Sequence, residues 1–275
     1  MTPVFKQSWF IVLALTAPSL ALSQTPESDL LDGKFYFRVG GQAFTQYSTT
    51  LRVDSETLGR GTELNFERHA GLKEDISVAR FDGGYRFTER HSMAFSYFDI
   101  DRTGSRTIDL DVKWADLIFP DGITVESRFR ERILKLSYAY TFLVRPKIIM
   151  AASAGLHTMR FDAGLKALDL SRAERSTTAD APLPVFGIRG QYRFADKWRF
   201  VGQMEWFDVK TGDISGTFSD VLLSVEHDTW DRFGFGFGIN SFGLDVRSGD
   251  EDLKGILDIR FDAFLVYFKG SFGFD

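Results

Sequence analysis

Apolar and polar residues alternate with a period of two along much of this chain, which is the pattern of β-strands. In the segment 133–142 one face is apolar or aromatic and the other is small or polar, with Leu134, Leu136, Tyr138, Tyr140 and Phe142 against Lys135, Ser137, Ala139 and Thr141. Similar alternation runs through 185–194, 198–206 and 233–239. A soluble β-sandwich would alternate as well, with its apolar faces inside. The pattern predicts an all-β protein without fixing which face points inward.

The spacing of strands and turns predicts ten strands, near 34–47, 75–87, 91–102, 125–143, 147–160, 183–195, 197–209, 215–228, 231–247 and 254–274. Short connections at 88–90, 144–146, 195–197 and near 228–231 alternate with longer polar stretches at 48–74, 103–124 and 161–182. Short turns at one end and long loops at the other are typical of outer-membrane barrels. Eight or twelve strands also fit, because 50–54, 62–67 and 108–114 suit extra strands or hairpin extensions.

The first residues resemble an export signal. Lys6 precedes an apolar run at 9–15, and Ala21, Leu22 and Ser23 form a small-x-small cleavage site. A transmembrane anchor is the alternative, but the run is shorter than the roughly 20 residues of a spanning helix. We therefore predict a signal peptide at 1–23 and a single mature domain at 24–275.

The C-terminal segment is rich in aromatic residues, as the last strand of a transmembrane barrel usually is. Asp258, Arg260 and Asp262 share a phase with Phe264 and the aromatics after it, so we predict a β-bulge near Asp262 that returns the aromatics to lipid. Together with the signal peptide, this segment predicts a closed antiparallel transmembrane β-barrel in a bacterial outer membrane.

Composition excludes several functions. The chain has no cysteine, so it has neither disulfides nor thiolate metal sites. Its formal net charge is −5 and no basic stripe is present, which argues against nucleic acid as a partner. The 28 Phe and 25 Gly agree with strands that show lipid one side chain and the lumen the next.

With the apolar faces pointing outward, the lumen becomes charged. The residues predicted to line it are Arg38, Arg80, Asp82, Arg86, Lys135, Arg189, Arg193, Arg199, Glu205, Asp258, Arg260 and Asp262. Two interpretations fit them: a salt-bridge ladder that fills a narrow barrel, or a thin pore of slight anion preference lined by Arg189, Arg193 and Arg199. The Gly-x-Gly-x-Gly run at 234–238 fits both, since small inward residues make room for large neighbours or leave a water path.

Three segments carry a family resemblance. Residues 61–72 (Gly-Thr-Glu-Leu-Asn-Phe-Glu-Arg-His-Ala-Gly-Leu), followed by 80–87 and 90–98, resemble an uncharacterised family of exported proteobacterial barrels. The whole mature chain is broadly similar to small OmpA-type and OmpW-type outer-membrane barrels. The resemblance implies the barrel fold and assembly by the barrel-insertion machinery, and it carries little information about biochemical activity.

Candidate chemistry is sparse. The chain has four histidines, and His157 near Ser153 is the least implausible general base, with no acidic residue placed by spacing to orient it. Asp99, Asp101, Asp109 and Asp111 alternate along strand ends and suit either a cation or plain solvation. We expect no catalytic residue, no metal site and no cofactor.

The sequence therefore predicts a passive role. We expect a structural or envelope barrel, or a narrow pore of slight anion preference. The alternative is a barrel that binds a surface ligand or partner through the loops 48–74 and 161–182, and a lipid-modifying enzyme is a third candidate. Expected contacts are outer-membrane lipid, lipopolysaccharide and the insertion machinery, and the sequence does not identify a specific ligand.

Overall fold

The computed structural model describes residues 33–168, 174–212, 214–250 and 253–273. Its elements, in chain order, are β1 (Phe35–Val53), β2 (Leu64–Asn65), α1 (Phe66–Ala70), β3 (Ser77–Arg86), β4 (His91–Thr107), β5 (Val112–Trp114), β6 (Leu117–Phe119), β7 (Thr124–Arg145), β8 (Ile148–Ala167), β9 (Glu174–Ala195), β10 (Trp198–Thr211), β11 (Ile214–His227), β12 (Phe233–Asp250) and β13 (Leu253–Phe272). The predicted signal peptide, 1–23, lies outside the described residues.

Ten of these strands close into a barrel. Consecutive long strands pair antiparallel in the order β1, β3, β4, β7, β8, β9, β10, β11, β12, β13, and β13 pairs with β1. This confirms the prediction of about ten strands in a closed barrel. In the part of the chain that the structure describes, no helix has the length and apolar character needed to cross a membrane.

The three ambiguous segments do not add strands to the ring. Segment 50–54 mostly continues β1, segment 62–67 holds β2 and the start of α1, and segment 108–114 holds β5, which pairs with β6 in a separate hairpin. The predicted loop 161–182 is largely wrong, because β8 continues to Ala167 and β9 starts at Glu174. Pairing in a hairpin satisfies the backbone N–H and C=O groups of these polar residues.

The two ends of the barrel differ. Short turns join β3 to β4, β7 to β8, β9 to β10 and β11 to β12, and the first residues of β1 and last residues of β13 lie at the same end. The opposite end carries the longer connections, including 54–76 and 108–123. Short periplasmic turns and longer extracellular loops are the rule in outer-membrane barrels, so we name the two ends periplasmic and extracellular.

A belt of large apolar side chains covers the outside of the barrel on the periplasmic side of its length. Phe186, Phe264 and Val266 are 59%, 59% and 67% exposed, and they point away from the lumen. The wider belt includes Val39, Phe81, Phe95, Tyr97, Leu134, Leu136, Tyr138, Leu156, Ile188, Phe200, Met204, Trp206, Leu223, Phe235, Phe237, Ile239 and Phe268. Such an apolar outer face is stable only in contact with lipid.

The predicted bulge near Asp262 is wrong in its position. β13 pairs with β12 in unbroken register, and the shift lies on β1 between Phe44 and Gln46. Asp258, Arg260 and Asp262 therefore stay in phase with the lipid-facing side of β13. These three charged residues are compatible with the outer face because they lie on the extracellular side of the apolar belt, where water solvates their charges.

The extracellular half of the lumen is filled by an apolar plug. β3 begins only at Ser77, and the segment that precedes it folds between β1 and β4 through β2 and α1. α1 is capped by the side chain of Asn65 and ends at Gly71, whose φ of 69° suits glycine. Four aromatics of the plug are fully buried: Phe66 of α1, Trp114 and Phe119 of the β5–β6 hairpin, and Phe129 of β7.

Candidate functional site

Nine of the twelve predicted lumen residues face the interior of the barrel. They are Arg38, Arg80, Asp82, Arg86, Lys135, Arg189, Arg193, Arg199 and Glu205. Asp258, Arg260 and Asp262 lie on the outer face, so their placement in the lumen was wrong. Arg260 instead forms an exposed ion pair with Asp258 at 3.0 Å. Apart from Arg86 and Arg193, these charged residues belong to three groups below the plug.

The first group surrounds Glu226 of β11, near the periplasmic end. Its carboxylate accepts hydrogen bonds from Arg38 Nε and Lys269 Nζ, both at 2.9 Å, and lies 3.2 Å from Arg199 Nε. The hydroxyl of Tyr267 donates to the same carboxylate at 2.8 Å. A carboxylate that is only 1% exposed is stable as an anion when it is paired and hydrogen-bonded in this way.

Glycine makes room for this group. A Cβ atom on Gly236 would lie 2.4 Å from Cζ of Tyr267. Any larger residue in place of Gly236 would therefore displace the tyrosine from Glu226. This decides between the two interpretations of the Gly-x-Gly-x-Gly run at this position. Gly236 makes room for a large neighbour, Tyr267, which is its paired residue on the adjacent strand β13.

Asp228 extends the Glu226 group into the turn that follows β11. Its Oδ1 accepts from Arg199 Nη2 at 3.0 Å and lies 2.5 Å from Lys269 Nζ. Partial burial raises the pKa of this carboxyl, but the nearby Arg199 and Lys269 lower it more, so the pKa of Asp228 lies below its ordinary value. Asp228 is therefore ionised in the folded barrel at near-neutral pH.

The second group crosses the middle of the lumen. Lys135 of β7 forms a buried ion pair with Asp220 of β11. The amide of Asn240 donates to Asp220 at 2.5 Å, and its oxygen accepts from Arg80 Nη1 at 3.1 Å. Arg80 also pairs with Asp82 at 3.1 Å. These contacts link β3, β7, β11 and β12 across the barrel.

The third group contains His157. The side chain of His157 is fully buried, and its Nε2 lies 3.2 Å from Oε2 of Glu205, which is 1% exposed. Glu205 also pairs with Arg189 at 3.4 Å. The structure thus supplies the acidic neighbour that spacing did not place beside His157. The pair lies beneath the plug, packed edge-on against the ring of Phe218.

Within the plug itself, a few polar groups are fully buried and paired. Tyr47 donates to Glu131 at 2.5 Å, and Arg102 donates to Glu67 of α1 at 2.6 Å and also to Thr49. The guanidinium of Arg102 stacks 3.6 Å from the centre of the Tyr47 ring. These contacts fix α1 to β1, β4 and β7, so the plug is part of the fold.

The remaining histidines have structural contacts, and so do the aspartates Asp99, Asp101 and Asp111. His69 accepts from the backbone N–H of Asn65, His91 lies beside the Tyr138 hydroxyl, and His227 beside that of Thr229. Asp99 and Asp101 form bidentate pairs with Arg130 and Arg128, and Asp111 accepts from the backbone of Asp121. Among the described residues, no group of three or more histidines and carboxylates is poised to hold a metal.

Sequence reasoning missed the acidic partners in the lumen. Glu226, Asp220 and Glu131 were not among the predicted lumen residues, although each accepts or pairs with a group across the barrel. The alternation in β11 could have found two of them, because Asp220 and Glu226 oppose the apolar Val221, Leu223 and Val225. Lys269 is likewise in phase with Leu265 and Tyr267 on the inner face of β13.

Two cavities border the site. A periplasmic vestibule of about 120 Å³ is lined by Gly33, Tyr36, Arg38, Arg86, Ser92, Ala139, Thr141, Ile149, Ala151, Arg189, Gly190, Gln191, Val201, Gly202 and Gln203. A groove of about 850 Å³ lies on the wall near the extracellular end, where Gln46, Ser48, Ser219, Ser241, Gly243 and Asp262 line it together with Asn65, Arg68 and Glu74 from the connection between β1 and β3.

Comparison with solved structures finds similarity to outer-membrane proteins. The outer-membrane protease OmpT from Escherichia coli is 11% identical over 92% of this chain and 99% of that chain, with a TM-score of 0.55. The transport unit of the autotransporter AIDA-I from Escherichia coli (8% identity, 92% and 93% covered) has a TM-score of 0.43. The translocator domain of NalP from Neisseria meningitidis (9% identity, 88% and 90% covered) has a TM-score of 0.41.

The likeness to OmpT, with the closed ring and the apolar belt, establishes the fold of a small bacterial outer-membrane β-barrel and agrees with that location. No protein-family model matches the chain, and no curated protein matches it by sequence. At this level of identity the likeness concerns the fold alone.

Proposed function

We propose that this protein is a closed, non-conducting outer-membrane barrel whose role is structural or depends on its extracellular surface. The observation that carries the proposal is the apolar plug, in which Phe66, Trp114 and Phe129 are fully buried across the extracellular half of the lumen. An aqueous pore needs a continuous hydrated path, and close-packed aromatic side chains exclude water.

The paired charges below the plug support the same role. Glu226, Glu205 and Asp220 each pair with one or more cations, as in a salt-bridge ladder that fills a narrow barrel. Buried ion pairs of this kind tie strands together and leave little free charge to attract a permeating ion. They favour the ladder over the thin anion-preferring pore.

We also propose that the chain is not an enzyme. OmpT is a protease, and its fold alone does not carry that activity to this chain. The His157–Glu205 pair is the nearest approach to a catalytic dyad, and it is fully buried beneath the plug with Arg189 beside it. A hydrolase would need this pair within reach of a substrate and a nucleophile.

The expected partners belong to the same proposal. The apolar belt suits contact with outer-membrane lipid, and the charged outer wall beyond it suits the lipopolysaccharide head groups. The barrel-insertion machinery is the partner expected during assembly. The acidic net charge gives no support for nucleic acid.

A second candidate function is ligand binding at the extracellular end. The groove of about 850 Å³ is lined in part by residues 65–74, which belong to the loop that the sequence suggested for binding. Its wall is mostly polar, with Ser48, Ser219 and Ser241 beside Arg68 and Asp262. The described part of the other suggested loop, 161–182, is mostly strand, and none of its described residues lines the groove.

Single-channel recording in planar bilayers tests the main proposal. The mature protein is first shown to be folded by its heat-dependent shift on a gel, and an open porin is reconstituted at the same protein-to-lipid ratio as the control. We expect a heat shift and no discrete conductance steps. Reproducible anion-selective steps that change in Arg189→Glu would overturn closure and restore the pore interpretation.

A further inference from the structure

A groove crosses the outer wall of the barrel within the apolar belt, near the periplasmic end. One row of its lining runs over six neighbouring strands, β8 to β13, and each residue of the row pairs with the next: Met150, Gly190, Gly202, Leu223, Ile239 and Phe264. We name it the lipid-side groove. Its volume of about 870 Å³ lies within the range of about 300–1,000 Å³ that is usual for small-molecule sites.

Two glycines lie side by side in this row. Gly190 of β9 and Gly202 of β10 are direct partners in the sheet. Both face outward, because they are in phase with the exposed Ile188 of β9 and Phe200 of β10. The two glycines therefore open a gap in the apolar belt at a place where the neighbouring positions carry large side chains.

The protein itself does not require glycine at these two positions. A Cβ atom on Gly190 would lie 3.8 Å from the backbone oxygen of Ile149, and one on Gly202 would lie 3.4 Å from Cδ2 of Leu223. These are ordinary contact distances, in contrast to the clash at Gly236, and neither glycine has a positive φ. Glycine weakens the interior of a strand and often marks the close approach of a ligand. The open pair indicates that a group from outside the chain fills this space.

The groove offers its occupant an apolar surface. Of the described side chains that point outward into it, only that of Tyr192 carries a hydroxyl, and the others are aliphatic, aromatic or methionine. Gln191 and Ser224 border the groove through their backbone, because their side chains bond to Arg199 and Tyr267 on the lumen side. An occupant of this surface needs no polar group, and hydrocarbon chains are what the bilayer supplies at this depth.

The periplasmic rim beside the groove carries two exposed lysines. Lys147 immediately precedes Ile148, and Lys197 lies in the turn three residues before Phe200, and both Ile148 and Phe200 line the groove. The two turns are neighbours because β8 pairs with β9. Their acidic residue is Asp196, so cations exceed carboxylates by one among the turn residues 146–147 and 196–197. A lysine at an interface keeps its methylenes on apolar surface and extends its ammonium group towards a lipid phosphate.

We propose that the lipid-side groove binds one acyl chain of a phospholipid from the periplasmic leaflet. The chain lies over Gly190 and Gly202, and the head-group phosphate lies beside Lys147 and Lys197. Dispersion contacts hold the chain, because an unfilled gap would forfeit them. A glycolipid of the outer leaflet does not fit, since its head group lies at the opposite end of the barrel. The site makes the proposed contact with outer-membrane lipid specific, and it does not depend on closure of the lumen.

The experiment is native mass spectrometry of the folded protein, extracted from membranes in a mild detergent, which counts and identifies the lipid that stays bound. Gly202→Leu and Gly190→Leu each fill the groove with a side chain. Gly41→Leu is the matched control, because Gly41 is an exposed partner of Val266 in the belt, has no atom within 4 Å of its Cβ position and does not line the groove. The heat-dependent gel shift confirms that each variant is folded.

We expect one phospholipid per barrel in the natural protein and in Gly41→Leu. Binding should weaken about tenfold or more in Gly202→Leu and in Gly190→Leu, which corresponds to about 1.4 kcal/mol. Lys147→Gln should also lower the bound fraction with the groove intact, whereas Lys113→Gln, at an exposed position of the extracellular hairpin, should leave it unchanged. If Gly202→Leu does not fold, Gly190→Leu decides the question.

Four outcomes would overturn the site: no retained phospholipid in the natural protein, unchanged retention in both groove variants, equal loss in Gly41→Leu, or a bound mass that is that of a glycolipid. A dimer without lipid that Gly202→Leu dissociates would also overturn it, because the groove would then be an interface between two copies of the chain. Conductance recordings test closure of the lumen separately, so failure of this site and failure of the proposed function are distinguishable.

Discussion

Nε of Arg38 on β1 donates a hydrogen bond of 2.9 Å to Oε1 of Glu226 on β11, a residue 188 positions later in the chain. Two strands, β12 and β13, separate β1 from β11 around the barrel wall. The contact therefore crosses the lumen and does not follow the sheet. Glu226 is the shared acceptor of this arginine, Lys269 and Tyr267, so the periplasmic end of the barrel is held together through one carboxylate.

Replacing that carboxylate should destabilise the barrel strongly. Glu226→Gln removes the buried anion that Arg38, Lys269 and Arg199 share, while Asp228 keeps its pairs with Arg199 and Lys269. Removing one partner of a buried ion pair costs about 3–5 kcal/mol. Urea unfolding in phospholipid vesicles, followed by tryptophan fluorescence, measures the loss. As the control, Asp245→Asn breaks an exposed pair with Arg247 and should cost no more than about 1 kcal/mol. Equal losses in the two variants would contradict the central role of Glu226.

The plug should behave as a close-packed core. Phe129→Ala removes a fully buried ring from its centre and should lower the free energy of unfolding by about 3–5 kcal/mol. Ile118→Ala alters the same plug at a side chain that is 48% exposed, and its effect should be well below 1 kcal/mol, as is usual for about half-exposed positions. If both variants unfold at the same urea concentration as the natural protein, the aromatic cluster is not packed as described.

The outer face of β13 provides a test of the boundary of the lipid belt. Val266→Arg places a cation in the exposed apolar belt and should destabilise the barrel by about 2–4 kcal/mol if the site lies near the bilayer midplane. Asp262→Arg is the matched control on the same face of the same strand, beyond the belt, where the cost should fall to about 0–1 kcal/mol. A large cost at Asp262, or none at Val266, would place the belt elsewhere.

The free energy of unfolding of the barrel should depend on pH in part through Asp228. Its pKa is lowered in the folded barrel, so it binds a proton less readily there than in the unfolded chain. The resulting stabilisation is complete above the ordinary aspartate pKa of about 3.9 and is lost as pH falls through the lower folded value.

The advantage of the natural protein over Asp228→Asn should therefore be present at about pH 7 and shrink at about pH 3. Unfolding in urea at the two pH values measures it. Asp196→Asn, in the exposed turn between β9 and β10, removes a carboxylate outside the lumen and serves as the control. A difference for Asp228→Asn that does not change with pH would show that the Arg199 and Lys269 contacts do not hold this carboxylate ionised.

Local sequence determined the strands of this protein. A period of two is a property of neighbouring residues, so the amino-acid sequence by itself assigns the segments around Leu136, Ile188 and Phe237 to strands. The same alternation placed Arg80, Lys135 and Glu205 on the inner face once the apolar face was taken as the outer one. The phase of each strand is fixed by its own residues, and this is why nine of the lumen predictions hold.

Only the tertiary structure decided what lies across the lumen and what fills it. Asp262 was misplaced because alternation gives the face of a residue but not its height relative to the belt, and height decides whether a charge on the outer face meets lipid or water. The partners of Arg38 and His157 come from strands far away in sequence, and the ring closure of β1 on β13 sets which side chains meet. Closure is a property of all ten strands together, so no local pattern contains it.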